Sequence, residues 1–83
     1  MRDDSNKTVH IGNLIENEVR RQQMPVIDFA RKINTDRRNV YDIFSRTSID
    51  TNLLLKICTV LNRDFFREFS KYLHIVHEED DNN

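Results

Sequence analysis

The stretch from residue 26 to residue 45 limits what this chain can fold into more than any other part of it. Two short segments with helical apolar spacing are separated only by Asn34-Thr35-Asp36. A connection that short leaves the two helices little choice but a near-perpendicular corner. The corner makes four demands. The first helix must be small where the second crosses it, and the chain's only alanine, Ala30, stands there. The turn must tolerate a positive φ four positions later, and Asn34 is suited to it. Apolar groups must face the corner from both sides, as Phe29, Ile33, Val40 and Ile43 do. The second helix needs an early cap, which Asp36 supplies.

The flanking sequence reads as more helix. Ile11, Leu14, Ile15 and Val19 recur at helical spacing after Thr8, a candidate N-cap, which predicts helix one over about 9–22 with Gly12 a small cost inside it. Pro25 opens helix two, with Val26 or Ile27, Phe29, Ala30 and Ile33 inward. Helix three spans about 37–45, with Val40, Ile43 and Phe44 inward. After the polar connector Arg46-Thr47-Ser48-Ile49, Asp50 caps helix four, whose inward residues are Leu53, Leu54, Ile57, Cys58 and Leu61. Asn62 and Asp64 repeat the stop-and-cap pattern. Helix five starts near 65 and carries Phe65, Phe66, Phe69, Tyr72 and Leu73. No segment alternates with period two, so the reading is all-α: five helices over 9–75, a flexible segment over 1–8, and an acidic, disordered tail over 76–83.

Composition removes several classes. With one cysteine in 83 residues, Cys58, an intramolecular disulfide and a Cys-rich zinc site are both excluded, and a reducing cytoplasm is the expected compartment. Cys58 itself reads as core. No apolar run approaches the roughly 18 residues of a membrane span, and the amino terminus lacks the apolar stretch of a signal peptide. No Ser or Cys has a matching base and no glycine-rich loop exists, so neither catalysis nor a cofactor is expected. His74, His77 and Glu78 lack a third well-placed ligand, and no metal is expected either.

Net charge is -1, but it is unevenly spread. Residues 20–46 hold seven basic and three acidic groups, a net of +4, between ends of net -2 and -3. A basic middle is the asymmetry of a small protein that turns one face to an anion. On helix three, Arg38, Asp42 and Ser45 point outward, Asn39 and Tyr41 flank them, and Arg37 lies in the first turn.

This corner is the helix-turn-helix arrangement. MPVIDFARKINTDRRNVYDIF, followed by IDTNLLLKICTVLNRDFF, resembles the lambda-repressor-like, or Xre-type, helix-turn-helix regulators of bacteria and phages. The resemblance spans roughly residues 11–69. Asn34 replaces the family's usual turn Gly, Thr35 the apolar residue after it, Asp36 its Ser cap, and Val26 the Gln that often opens helix two. The resemblance implies a compact five-helix DNA-binding domain, helix three in the major groove of double-stranded DNA, and often a homodimer on an inverted repeat. Arg37, Arg38, Asn39, Tyr41 and Asp42 are then the base-contacting set. Arg38 leads it, because its planar fork can engage guanine O6 and N7 together. Asp42 either accepts from cytosine N4 or holds Arg38 as an i,i+4 partner. Arg46, Thr47, Ser48, Thr51 and Asn52 are the phosphate-contacting set. Arg20 and Arg21 read as a solvated helix end. Phe65, Phe66 and Phe69 read first as core; their extension through Tyr72, Leu73, Ile75 and Val76 exceeds what one small domain needs, and Phe65, Phe69, Tyr72, Leu73 and Val76 are the expected dimer contact. The alternative is a protein-interaction module, antitoxin-like, on the same fold, with helix five or the acidic tail meeting a protein partner.

Overall fold

The computed structural model describes residues 9–81, with side-chain surroundings through Leu73. It is all-helical: α1 (Ile11–Arg21), α2 (Val26–Lys32), α3 (Arg37–Ser45), α4 (Thr51–Leu61) and α5 (Phe66–Asp81), with no strand among the described residues. None of these helices is long and apolar enough to cross a membrane. α3 packs most closely on α1 and α2.

Each helix start has a local cause. Asp36 accepts the Asn39 N–H at 2.8 Å and Asp50 accepts that of Leu53 at 2.8 Å, so both expected caps are in place. Asp64 accepts from Phe66 N–H at 3.0 Å. Helix one begins two residues later than its apolar spacing suggested. His10 caps it, its Nδ1 accepting from Asn13 N–H at 3.1 Å, while Thr8 lies outside the described residues. Pro25 takes the N-cap position of α2 with φ -60°, and no side chain caps that helix.

Three helix ends share one solution. Gln23, Asn34 and Asn62 hold φ of 57°, 62° and 53°. Each donates its N–H three residues back, and its successor donates five back: Met24 to Val19 at 3.1 Å, Thr35 to Ala30 at 2.9 Å, Arg63 to Cys58 at 3.0 Å. This paired pattern is the Schellman motif, which satisfies carbonyls that a helix end otherwise strands. Asn34 and Asn62 were expected there. Gln23 was not, because an unbranched amide side chain carries no left-handed preference.

The core gathers Ile11, Ile15 and Val19 of α1, Phe29, Ala30 and Ile33 around α2, Val40, Ile43 and Phe44 of α3, Leu54, Ile57 and Leu61 of α4, and Phe65. Phe29 and Phe44 stack at 6.4 Å between centroids across the α2–α3 corner. Leu14, Val26, Leu53 and Cys58 are half-buried against this core, and Ile27 stays 54% exposed. Gly12 is the larger surprise. Its N–H donates to Arg46 O at 2.9 Å, and a Cβ there would collide with Phe44 O and lie 2.5 Å from Ile43 O. The glycine thus admits the last carbonyls of α3 to the first turn of α1, a close approach that no other residue allows.

Among the described residues one charged side chain is buried. Glu18, 3% exposed, accepts from Arg21 Nε at 3.0 Å and Nη2 at 2.6 Å, from Gln22 Nε2 at 2.7 Å and from Arg63 Nη1 at 2.9 Å. Gln22 also donates to Leu61 O at 2.8 Å, and Arg63 reaches Glu68 at 2.9 Å while lying 5.0 Å from the Phe65 ring centroid. The Arg21 hydrogen bond, against the burial penalty, brings the Glu18 pKa down from 4.5 to about 2. This cluster ties the end of α1 to the α4–α5 corner.

The carboxyl-terminal stretch departs from expectation. Its backbone stays helical from residue 76 to Asp81, where the acidic composition reads as a loose tail. Glutamates propagate an existing helix at little cost, so Glu78 and Glu79 extend one already nucleated by the packed residues before it.

Candidate nucleic-acid interface

α3 buries Val40, Ile43 and Phe44 and turns its opposite face outward. Arg37 and Arg38 occupy its first turn, both exposed, and neither forms an ion pair among the described residues. Their position follows from Asp36. By capping the helix it sets the first turn, and the two guanidinium groups leave from the end that carries the positive pole of the helix dipole.

Asn39 is half-buried, and its Nδ2 donates to Thr35 Oγ1 at 2.9 Å. That bond fixes the amide plane and uses one of its two N–H donors. Tyr41 is 53% exposed, and its ring meets Phe44 edge-on at 6.0 Å, leaving the phenol at the surface.

Asp42 is paired, but not as an Arg38 partner. Its Oδ2 accepts from Arg46 Nε at 3.0 Å and Nη2 at 2.7 Å. The direction has a reason: an acid four residues before a base is the better i,i+4 order, and Arg46 sits at the negative pole of α3. Both side chains remain about half exposed, at 51% and 49%. Two consequences follow for the expected contacts. Arg38 is left unneutralised, which suits a reader of base edges. Arg46, expected among the phosphate contacts, has its fork engaged by a carboxylate of its own helix.

Thr47, Ser48, Thr51 and Asn52 are all exposed along the connector and the first turn of α4. Beneath Ser48 and Thr51 lies an apolar cavity of about 260 Å³, walled by Ile11, Ile49, Leu54, Phe66 and Phe69. Arg31 and Lys32 are exposed at the end of α2, Arg31 in a long pair with Asp28 at 3.4 Å.

Arg20 and Arg21 are engaged rather than merely solvated. Arg20 holds Glu16 at 2.6 Å, and that hydrogen bond, with a smaller contribution from the Tyr41 phenol, keeps its pKa raised. Arg21 holds Glu18, a role that sequence reasoning missed along with Glu18 and Arg63. The only sequence signal for that cluster is an acid on the apolar side of helix one, flanked at i,i+3 and i,i+4 by Arg21 and Gln22.

Of the expected dimer contacts, Phe65 is corrected. It is fully buried, its N–H donating to Cys58 Sγ at 3.4 Å, and belongs to the core. Phe69 and Tyr72 are half-buried, Leu73 is 64% exposed, and the Val76 side chain lies outside the described residues. The side chains of His74, His77 and Glu78 lie outside them too. Among the described residues no cluster of three or more His, Cys, Asp or Glu could hold a metal. No protein-family model, curated protein or solved structure matches the chain.

Proposed function

We propose that this chain is a sequence-specific double-stranded DNA-binding protein of lambda-repressor-like architecture, acting as a transcriptional regulator with α3 in the major groove. The observation that carries the reading is the pair Arg37 and Arg38. They are exposed side by side in the first turn of a helix presented by a tight corner, with no acid neutralising them among the described residues. In this reading Arg38 engages guanine O6 and N7, and Asn39 offers its remaining amide groups to a base edge. The exposed Thr47, Ser48, Thr51 and Asn52 hold the backbone of the duplex, as does the pole of α4. Arg31 and Lys32 add to the field.

A second reading, a protein-interaction module on the same fold, is favoured by one observation: Asp42 withdraws Arg46 from phosphates, and the rest of the chain is acidic enough to bring the net charge to -1.

Selection from a random duplex library at two salt concentrations separates the two. Enrichment of a defined site, with log K falling by about 0.9 per neutralised phosphate against log salt, is the result expected of the DNA reading. No enrichment from a folded sample would move the assignment to the interaction module. Within the DNA reading, Arg38→Ala should cost about 1–3 kcal/mol and relax preference at one base position.

A further inference from the structure

Separate parts of the chain wall the cavity under the α3–α4 connector. Ile11 at the start of α1, Ile49 before α4, Leu54 within α4, and Phe66 and Phe69 of α5 line one space of about 260 Å³. Ile11 and Leu54 are buried, while Ile49 and the two phenylalanines are half-buried. Ser48 and Thr51 stand at its rim, both exposed, and neither hydroxyl makes a hydrogen bond among the described residues. No lining residue is charged. Asp50, between the two hydroxyls in the sequence, gives its carboxylate to the Leu53 N–H at 2.8 Å.

We propose that this cavity is a binding site for a small, neutral, bicyclic aromatic molecule with one N–H or O–H on its edge, of the indole class. Size sets the first limit. Cavities of about 150 Å³ lined by Leu, Ile and Phe take benzene, so this one has room for a second fused ring. Charge sets the next: an ion entering an apolar space without a counter-charge loses its hydration with no partner to replace it, which excludes carboxylates and amines. Phe66 and Phe69 lie three residues apart on one face of α5, and their rings suit a flat aromatic partner beyond the area they cover. The rim adds one polar requirement, because a Ser or Thr hydroxyl can accept a single N–H or O–H at that side alone. A ligand polar all round would leave its other groups unpaired against Ile and Phe. The chain ahead of α1 has little to fill the space with, since Met1 is the only apolar residue among positions 1–8. Ser48 and Thr51 also belong to the expected phosphate-contacting set, so the site adjoins the face proposed for DNA. The inference does not depend on whether that face binds DNA.

The chain contains no tryptophan, so indole fluorescence reports on the ligand alone. The test is titration of indole with the full chain, excited beyond the tyrosine band, together with backbone amide shifts by NMR. The expected result is a saturable blue shift with a dissociation constant of roughly 0.1–1 mM, and amide shifts centred on residues 48–54 and 66–69. Indole carboxylate, the same ring with a charge, should bind about tenfold more weakly or worse. Ile49→Phe fills part of the space at a half-buried position and should weaken indole by about tenfold, with circular dichroism confirming the fold. A folded wild-type chain that leaves indole emission unchanged at millimolar concentration overturns the proposal. So do amide shifts centred on another face, equal affinity for indole and its carboxylate, or an affinity untouched by Ile49→Phe.

Discussion

Replacing Glu18 with Gln keeps the shape of the side chain and removes its charge, which isolates what the buried carboxylate contributes. In the folded chain its pKa is about 2 against 4.5 for an ordinary glutamate. Each pH unit of that difference corresponds to about 1.4 kcal/mol, so the depression is equivalent to roughly 3 kcal/mol. Solvent screening reduces it, because Arg21 is 71% exposed and Arg63 35%. About 2 kcal/mol is the expected loss at neutral pH. For a domain of this size that is a lowering of the melting temperature by about 8–16 °C. The pH dependence gives the sharper test. A depressed carboxylate pKa stabilises fully above the unfolded value of 4.5, and the contribution is lost as pH falls through about 2. Urea unfolding of both forms, followed by circular dichroism, should therefore show a gap that is constant above about pH 5 and narrows toward about pH 2. A gap below about 0.5 kcal/mol at neutral pH, or one unchanged by acid, would refute the assignment of Glu18 as the charged centre of this cluster.

Three further outcomes are expected. Gly12→Ala should destabilise the chain by about 1–3 kcal/mol in chemical unfolding despite alanine's better helix propensity, because the added methyl meets main-chain carbonyls that have nowhere to go. Gln23→Gly should raise the melting temperature, since it relieves a left-handed conformation worth about 1–2 kcal/mol at the expense of a smaller backbone entropy loss; a lowered melting temperature would count against strain there. Asp42→Asn should release Arg46 and, if α3 binds duplex DNA, steepen the salt dependence of binding by about 0.9 in log–log slope, measured by fluorescence anisotropy at several salt concentrations.

The corner between α2 and α3 was legible because each of its parts has a short-range signature. Ala30, Asn34 and Asp36 do their work within a few residues of themselves, and all three stand where the spacing placed them. The features that were missed depend on residues distant in the chain. Gly12 looks like a minor flaw in a helix until Phe44 and Arg46 are brought to it. Glu18 looks like surface until Arg63, 45 positions away, closes over it. Phe65 reads as part of an amphipathic helix five, but it precedes the helix and drops into the core. The Asp42 pairing turned on a choice between two neighbours equally spaced, which helix polarity decides and spacing does not.

The amide of Gly12 is one of the first-turn donors that a helix ordinarily leaves to water, and here it is claimed by the carbonyl of Arg46 at the foot of α3. That single bond makes the start of α1 an exchange sensor for the opposite helix. Its proton should be retained about as long as those of the core, whereas the neighbouring Asn13 amide, held only by the His10 side chain, trades with solvent sooner. Slow exchange at Gly12 would mean that α1 and α3 open together as one cooperative unit. Whatever grips α3 from outside then pulls on main chain, and the orientation of its exposed face is inherited from α1 and not from side-chain packing alone.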